Sequence, residues 1–179
     1  MQLTLFTDYS LRSLVYIALK TWDKGNLTTI KDISSDLRIS NNHVVKVIHN
    51  LSRSGFIETL RGSHGGIRLA RSPSEINLGD VVSATENFSC VLHCVHTECT
   101  FHQVCLFQGI MRRAATAFIK ELSQNTLADL VSERDRLLSA LETAPASAEQ
   151  EGEPCCLLTV GDDPGTAEGA AESTVSGQG

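Results

Sequence analysis

Between Thr29 and Ala70 the chain carries two short helical patterns, a two-residue turn and a glycine-rich hairpin, which is the order of a winged helix-turn-helix. Thr29 followed by Asp32 forms a capping-box signature that opens a helix with Ile30, Ile33 and Leu37 facing inward. Arg38-Ile39 is the turn, and Ser40 caps the next helix. Val44, Val47, Ile48 and Leu51 recur at helical spacing as its buried stripe, leaving Asn41, Asn42, His43, Lys46 and His49 on other faces. Gly55 closes this helix. Two strands are predicted around Phe56 to Leu60 and Ile67 to Ala70, joined by Arg61-Gly62-Ser63-His64-Gly65-Gly66.

The flanks extend the same helical design. Thr7 is predicted to cap a first helix in which Leu11, Leu14, Val15, Ala18 and Leu19 repeat, ending near Lys20 and placing Asp8 in its first turn. Pro73 marks a break before a small helix over 76–86. From Cys105 to Leu122 the apolar positions form a stripe too broad for a solitary surface helix, so this long helix asks for a partner. One terminal helix is expected from Thr126 to Leu141, returning to the core. Beyond Thr143 the Ala, Glu, Gly and Ser composition offers too little apolar surface to offset chain entropy. The expected fold is mainly α: a winged helix-turn-helix with a long dimerisation helix and a small two-stranded wing. It occupies residues 1–143, followed by a disordered acidic tail over 144–179.

A formal net charge of -6 argues against nucleic-acid binding only until the charge is resolved along the chain. Residues 144–179 hold seven acids and no Lys or Arg, which leaves the first 143 residues with 15 bases and 14 acids. Within 38–71, Arg38, Lys46, Arg53, Arg61, Arg68 and Arg71 face a single acid, Glu58. That excess exceeds what solubility requires and points to double-stranded DNA. Asn41, Asn42, His43 and Lys46 are the expected contacts to base edges or phosphates, and Arg61, His64 and Arg68 those of the wing to the backbone or minor groove.

Cys94, Cys99 and Cys105 stand at C-x4-C-x5-C in a loop spanning about 90–105. The run Leu14 to Leu19 is too short for a membrane span or a secretory leader, so a cytosolic protein is expected, in which thiols stay reduced. Three thiolates suit an iron–sulfur cluster with one non-thiolate ligand or a zinc site; the missing C-x2-C pair favours the cluster. Cys90 reads as a bystander, His93, His96 and His102 as exposed loop residues, and Cys155-Cys156 as incidental. No nucleotide fingerprint or paired acid–base constellation suggests an enzyme. Electron transfer and a zinc-bound or metal-free winged-helix repressor are the competing classes.

Four segments together resemble one family: Met1-Gln2-Leu3-Thr4-Leu5-Phe6-Thr7-Asp8-Tyr9, Asn42-His43-Val44-Val45-Lys46, Arg61-Gly62-Ser63-His64-Gly65-Gly66-Ile67-Arg68-Leu69, and the cysteine loop. The likeness is to the IscR-like winged-helix iron–sulfur regulators, in their nitric-oxide-sensing branch, and covers residues 1 to about 140. It implies a homodimeric repressor of palindromic operators that lets go when nitric oxide nitrosylates its cluster. It also implies that Cys94, Cys99 and Cys105 ligate a cluster (4Fe-4S favoured, 2Fe-2S possible), with Asp8 of the partner subunit as an oxygen ligand. From the residues alone, Asp8 pairs with Arg12 one helical turn on; both arrangements hold if Arg12 is a structural switch that takes Asp8 in one state and yields it in the other. Gln108 stands where the iron–sulfur-status branch is expected to carry histidine, which favours the gas-sensing branch over that alternative. Asn41 replaces a residue that tends to be basic in the family, which puts operator preference in doubt.

Overall fold

Helix α1 (Leu5–Thr21) is the element the others pack around: Leu14, Ile17, Ala18 and Leu19 are buried, with Ser10 and Ser13 buried beside them. The computed structural model describes residues 3–22, 25–62, 65–86 and 105–143. Thr4, not Thr7, caps α1, accepting a hydrogen bond from the Thr7 backbone N–H. The predicted cap was three residues late because both threonines satisfy the same signature. Thr7 is instead fully buried in the first turn, and Asp8 keeps its expected place there.

Helices α2 (Ile30–Leu37) and α3 (Asn41–Arg53) follow as expected. Thr29 and Asp32 close a reciprocal capping box, and Ser40 caps α3. Arg38 between them is left-handed (φ 55°), the turn that swings α3 across α1. Val44, Val47, Ile48 and Leu51 are all buried, together with Ile33 and Ile39. Tyr16 ties α1 to α2 by donating its hydroxyl to Asp36 Oδ2 at 2.7 Å. Burial and the Asp36 carboxylate push that phenol well above its ordinary pKa, so it remains a donor.

The wing is an antiparallel pair, β1 (Ile57–Leu60) and β2 (Gly66–Leu69), in register Ile57 to Leu69 and Glu58 to Arg68. Ile57, Ile67 and Leu69 turn inward. Thr28 extends the ladder by exchanging two hydrogen bonds with Ile67, at 3.0 and 2.7 Å. That close approach requires glycine at position 66, where a Cβ would stand 2.7 Å from Leu27 Cβ and 2.8 Å from the Thr28 carbonyl oxygen.

A 3-10 turn at Pro73–Glu75 leads to α4 (Leu78–Thr85), capped by Asn77. Glu86, just beyond α4, fastens this helix to the start of α1. Its Oε1 accepts from the Thr4 N–H at 2.6 Å, the Thr4 hydroxyl at 2.8 Å and the Thr7 hydroxyl at 2.6 Å. Partial burial opposes the charged form, but the Thr7 and Thr4 hydrogen bonds outweigh it and hold the carboxyl below its usual range.

After residues 87–104, the long helix α5 (Leu106–Leu122) crosses α4 at Gly79, where any Cβ would collide with the Ser123 hydroxyl and the Ile119 carbonyl. The chain then re-enters the core, with Leu78 N–H donating to the Asn125 carbonyl and Leu127 N–H to that of Ile76. Leu127 is fully buried. The single helix expected over 126–141 is in fact two, α6 (Leu127–Leu130) and α7 (Arg134–Thr143). Thr126 and Asp129 form a capping box, Ser132 donates to the Asp129 carbonyl, and Arg134 reaches the Leu19 carbonyl, so the chain breaks to lay α7 back toward α1. The apolar pattern runs on across the break and conceals it. The expected tail lies outside the described residues.

Two outcomes follow from this packing. Leu51→Ala, at a fully buried site between α3 and its neighbours, should cost about 2–5 kcal/mol in chemical denaturation. Glu86→Gln should destabilise the fold at neutral pH. Because the folded carboxyl titrates lower than the unfolded one, wild type and variant should converge as pH falls below about 4.3 and through the lowered folded value. Denaturation midpoints across pH 3–7 measure this.

Candidate nucleic-acid interface and cysteine centre

The stripe that buries α3 leaves its other side wholly available: Asn41, Asn42, His43, Lys46 and His49 are exposed. The first four are the predicted contacts, and all five lie on one helix whose aliphatic face is buried. Ser40 Oγ lies 2.9 Å from His43 Nδ1, which fixes the ring at the first turn. The Tyr9 ring of α1 stands against it, with centroids 5.6 Å apart. Tyr9 was not singled out in the sequence; it follows Asp8 directly, and so joins the helix bearing Asp8 to the exposed face of α3.

In the wing, Arg61 is exposed at the end of β1, while His64 lies outside the described residues. Arg68 departs from expectation. Its guanidinium is not free for DNA but bound across the hairpin to Glu58 Oε2, through Nε at 3.1 Å and Nη2 at 2.9 Å. The β register puts these two residues opposite each other, and opposite charges so placed attract. The pair is solvent-exposed and therefore weak, so a phosphate can displace Glu58.

Asp8 and Arg12 pair as the helical spacing predicts, Oδ1 to Nε at 3.0 Å, on an exposed face of α1. Cys105 is the N-cap of α5, partly exposed, and its thiol makes no capping hydrogen bond. An uncommitted soft donor at the positive end of a helix suits an anionic metal–sulfur centre. Asp8 retains one carboxylate oxygen outside its Arg12 hydrogen bond, so it too can serve as a ligand. Among the described residues no three His, Cys, Asp or Glu side chains gather around one point. Cys94 and Cys99, like Cys90, the loop histidines and Cys155-Cys156, fall outside them.

From Cys105 onward α5 presents an apolar face to solvent, with Leu106 at 85%, Phe107 at 54% and Ile110 at 50% exposure. Ala115 is the one α5 residue that is buried. The stripe for which a partner helix is expected is therefore exposed at these three positions in the single chain. Val45 was also passed over in the sequence. It sits outside the buried stripe of α3, and that offset was the available signal.

Comparison with known proteins agrees with this geometry. The family model for Rrf2, the iron-dependent transcriptional regulators, matches residues 3–133. The chain is 43% identical over 148 residues to the HTH-type transcriptional regulator NsrR of Halalkalibacterium halodurans, covering 81% of this chain and all of that protein. It is 43% identical over 145 residues to NsrR of Shouchella clausii, covering 79% and 96%. Among solved structures, CymR, the global cysteine regulator of B. subtilis, superposes with TM-score 0.55 at 25% identity over 74% of this chain and 98% of that one. IscR of T. potens gives TM-score 0.57 at 20% identity over 83% and 94%, a likeness of fold alone. The winged-helix framework, the exposed recognition face and these matches together establish that the chain belongs to the Rrf2 family of transcriptional regulators.

Proposed function

We propose that this protein is a nitric-oxide-sensing repressor of the NsrR type. It binds palindromic operators as a homodimer and releases them when nitric oxide reacts with an iron–sulfur cluster held by Cys94, Cys99, Cys105 and Asp8 of the partner subunit. The observation that carries the reading is the position of Cys105: the last thiol of the cysteine loop is also the N-cap of a long helix whose first turns expose Leu106, Phe107 and Ile110. Burying Leu106, Phe107 and Ile110 against a second copy sets two recognition helices at a fixed separation, and a palindromic site matches that twofold symmetry. The name NsrR, borne by relatives alike over nearly their whole length, supports the gas signal.

A bound cluster would supply iron on which nitric oxide could act, and the iron held by the Asp8 carboxylate would be its most labile corner, because a hard oxygen is a weaker ligand for iron than thiolate. Asp8 then has two partners to choose between. Bound to the partner's centre, it pins α1 of one subunit to the ligand loop of the other. Released, it returns to Arg12, one turn along its own helix. The change passes to the DNA-reading face because α1 packs on α3 and Tyr9 rests against His43. A hundredfold loss of operator affinity requires about 2.7 kcal/mol of difference between the two arrangements, within reach of one ligand bond. Lys46, Arg61 and Arg68 supply phosphate contacts, the last by leaving Glu58.

Anaerobic purification with iron and sulfide counts, followed by titration of nitric oxide against operator affinity, tests this. Cys99→Ser should lose the visible absorption and keep the helical circular dichroism. Asp8→Ala should stay dimeric with an altered response to nitric oxide; an unchanged spectrum and response would remove Asp8 from the mechanism. Colourless protein that holds its operator equally with or without the gas would leave a plain repressor. Separately, Lys46→Ala should weaken binding across all sequences and reduce the salt slope of log affinity by about one.

A further inference from the structure

Every exposed side chain of α3 is polar or charged except one. Val45 is 45% exposed, with Asn41 one turn before it and Asn42, Lys46 and His49 around it, all exposed. A β-branched residue there adds little to the core and is a poorer helix former than alanine, so folding does not account for it. Toward the wing its methyl groups border a shallow apolar crevice formed with Ile48, Leu60 and Ile67. The result is an apolar spot beside hydrogen-bonding amides, on the amino-terminal half of the helix that enters the major groove.

Only thymine presents a methyl group in that groove, and an asparagine amide matches the N6 and N7 edge of adenine, whereas a basic side chain favours guanine. Asn41 and Val45 lie on one side of α3, about 6 Å apart along its axis, between one and two base steps of about 3.4 Å. We infer, resting on the DNA-binding reading above, that Val45 selects a thymine in each operator half-site by packing on its C5-methyl group, with Asn41 reading an adenine one or two base pairs away. Asn41 and Val45 thus direct the recognition helix to A·T pairs where a basic residue at position 41 would direct it to G·C.

The test uses the full-length, cluster-loaded protein under anaerobic conditions and operators selected from randomised duplexes. Each thymine is then replaced by deoxyuridine, which deletes the methyl group and nothing else. At one thymine per half-site, changing both halves should lower wild-type affinity on the order of tenfold, the effect of losing one methyl contact twice. Val45→Ala should bind the thymine and deoxyuridine operators alike. Wild type indifferent to every replacement, or a Val45→Ala protein with an undiminished thymine preference, overturns the role of Val45. The wild-type comparison needs no variant and decides the matter even if Val45→Ala fails to fold. A selection that yields no operator overturns the DNA-binding reading itself, whereas an operator bound without regard to its methyl groups overturns this inference alone.

Discussion

The structure depends on the burial of the α3 stripe against α1. Val44, Val47 and Leu51 are wholly excluded from water, as are Leu14 and Ile17 of the helix they meet. One face of α3 is thereby immobilised, and its opposite face becomes a rigid presentation surface for Asn42, Lys46 and His49. The apolar contact is non-directional, but helical periodicity turns it into orientation: fixing the stripe fixes where every polar residue points. The same contact makes α1 a shared element, since α1 carries Asp8 on its exposed side and Tyr9 toward α3.

Around this pair the core continues through Ile57, Ile67, Ile76, Val81 and Leu127, and small polar devices add direction to it. Glu86 clasps the first turn of α1 from the end of α4, immediately before the segment that carries the cysteines. Asn77 caps α4 and also donates its side-chain amide to the Ser123 carbonyl at the end of α5. Both ends of the segment holding the cysteine loop are thus anchored to the winged domain by directional bonds.

The surface chemistry divides by function. The wing face carries a charge pair, Glu58 with Arg68, weak enough in water to exchange for a phosphate. The start of α5 carries uncovered Leu106, Phe107 and Ile110, surface that a second copy would remove from water. Asp8, in the first turn of α1, has Arg12 as its partner inside the same helix.

Much of the design was legible in the chain. Repeats of three and four residues gave the buried stripe of α3, Thr29 with Asp32 gave a helix start, and the glycines of the hairpin gave the wing, because each is a local signal that backbone geometry alone enforces. The helical spacing of Asp8 and Arg12 likewise gave their pairing. Three-dimensional packing decided the rest. Thr4 outcompetes Thr7 as the cap once Thr7 is needed inside against Thr85 and Glu86. The terminal helix breaks because Leu127 must enter the core while α7 turns back to α1. Arg68 is claimed by Glu58 through strand register, and Tyr9 meets His43 across two helices far apart in sequence. Local spacing specifies which face of an element is apolar; which distant group that face, or its opposite, finally touches is settled only when the chain closes on itself.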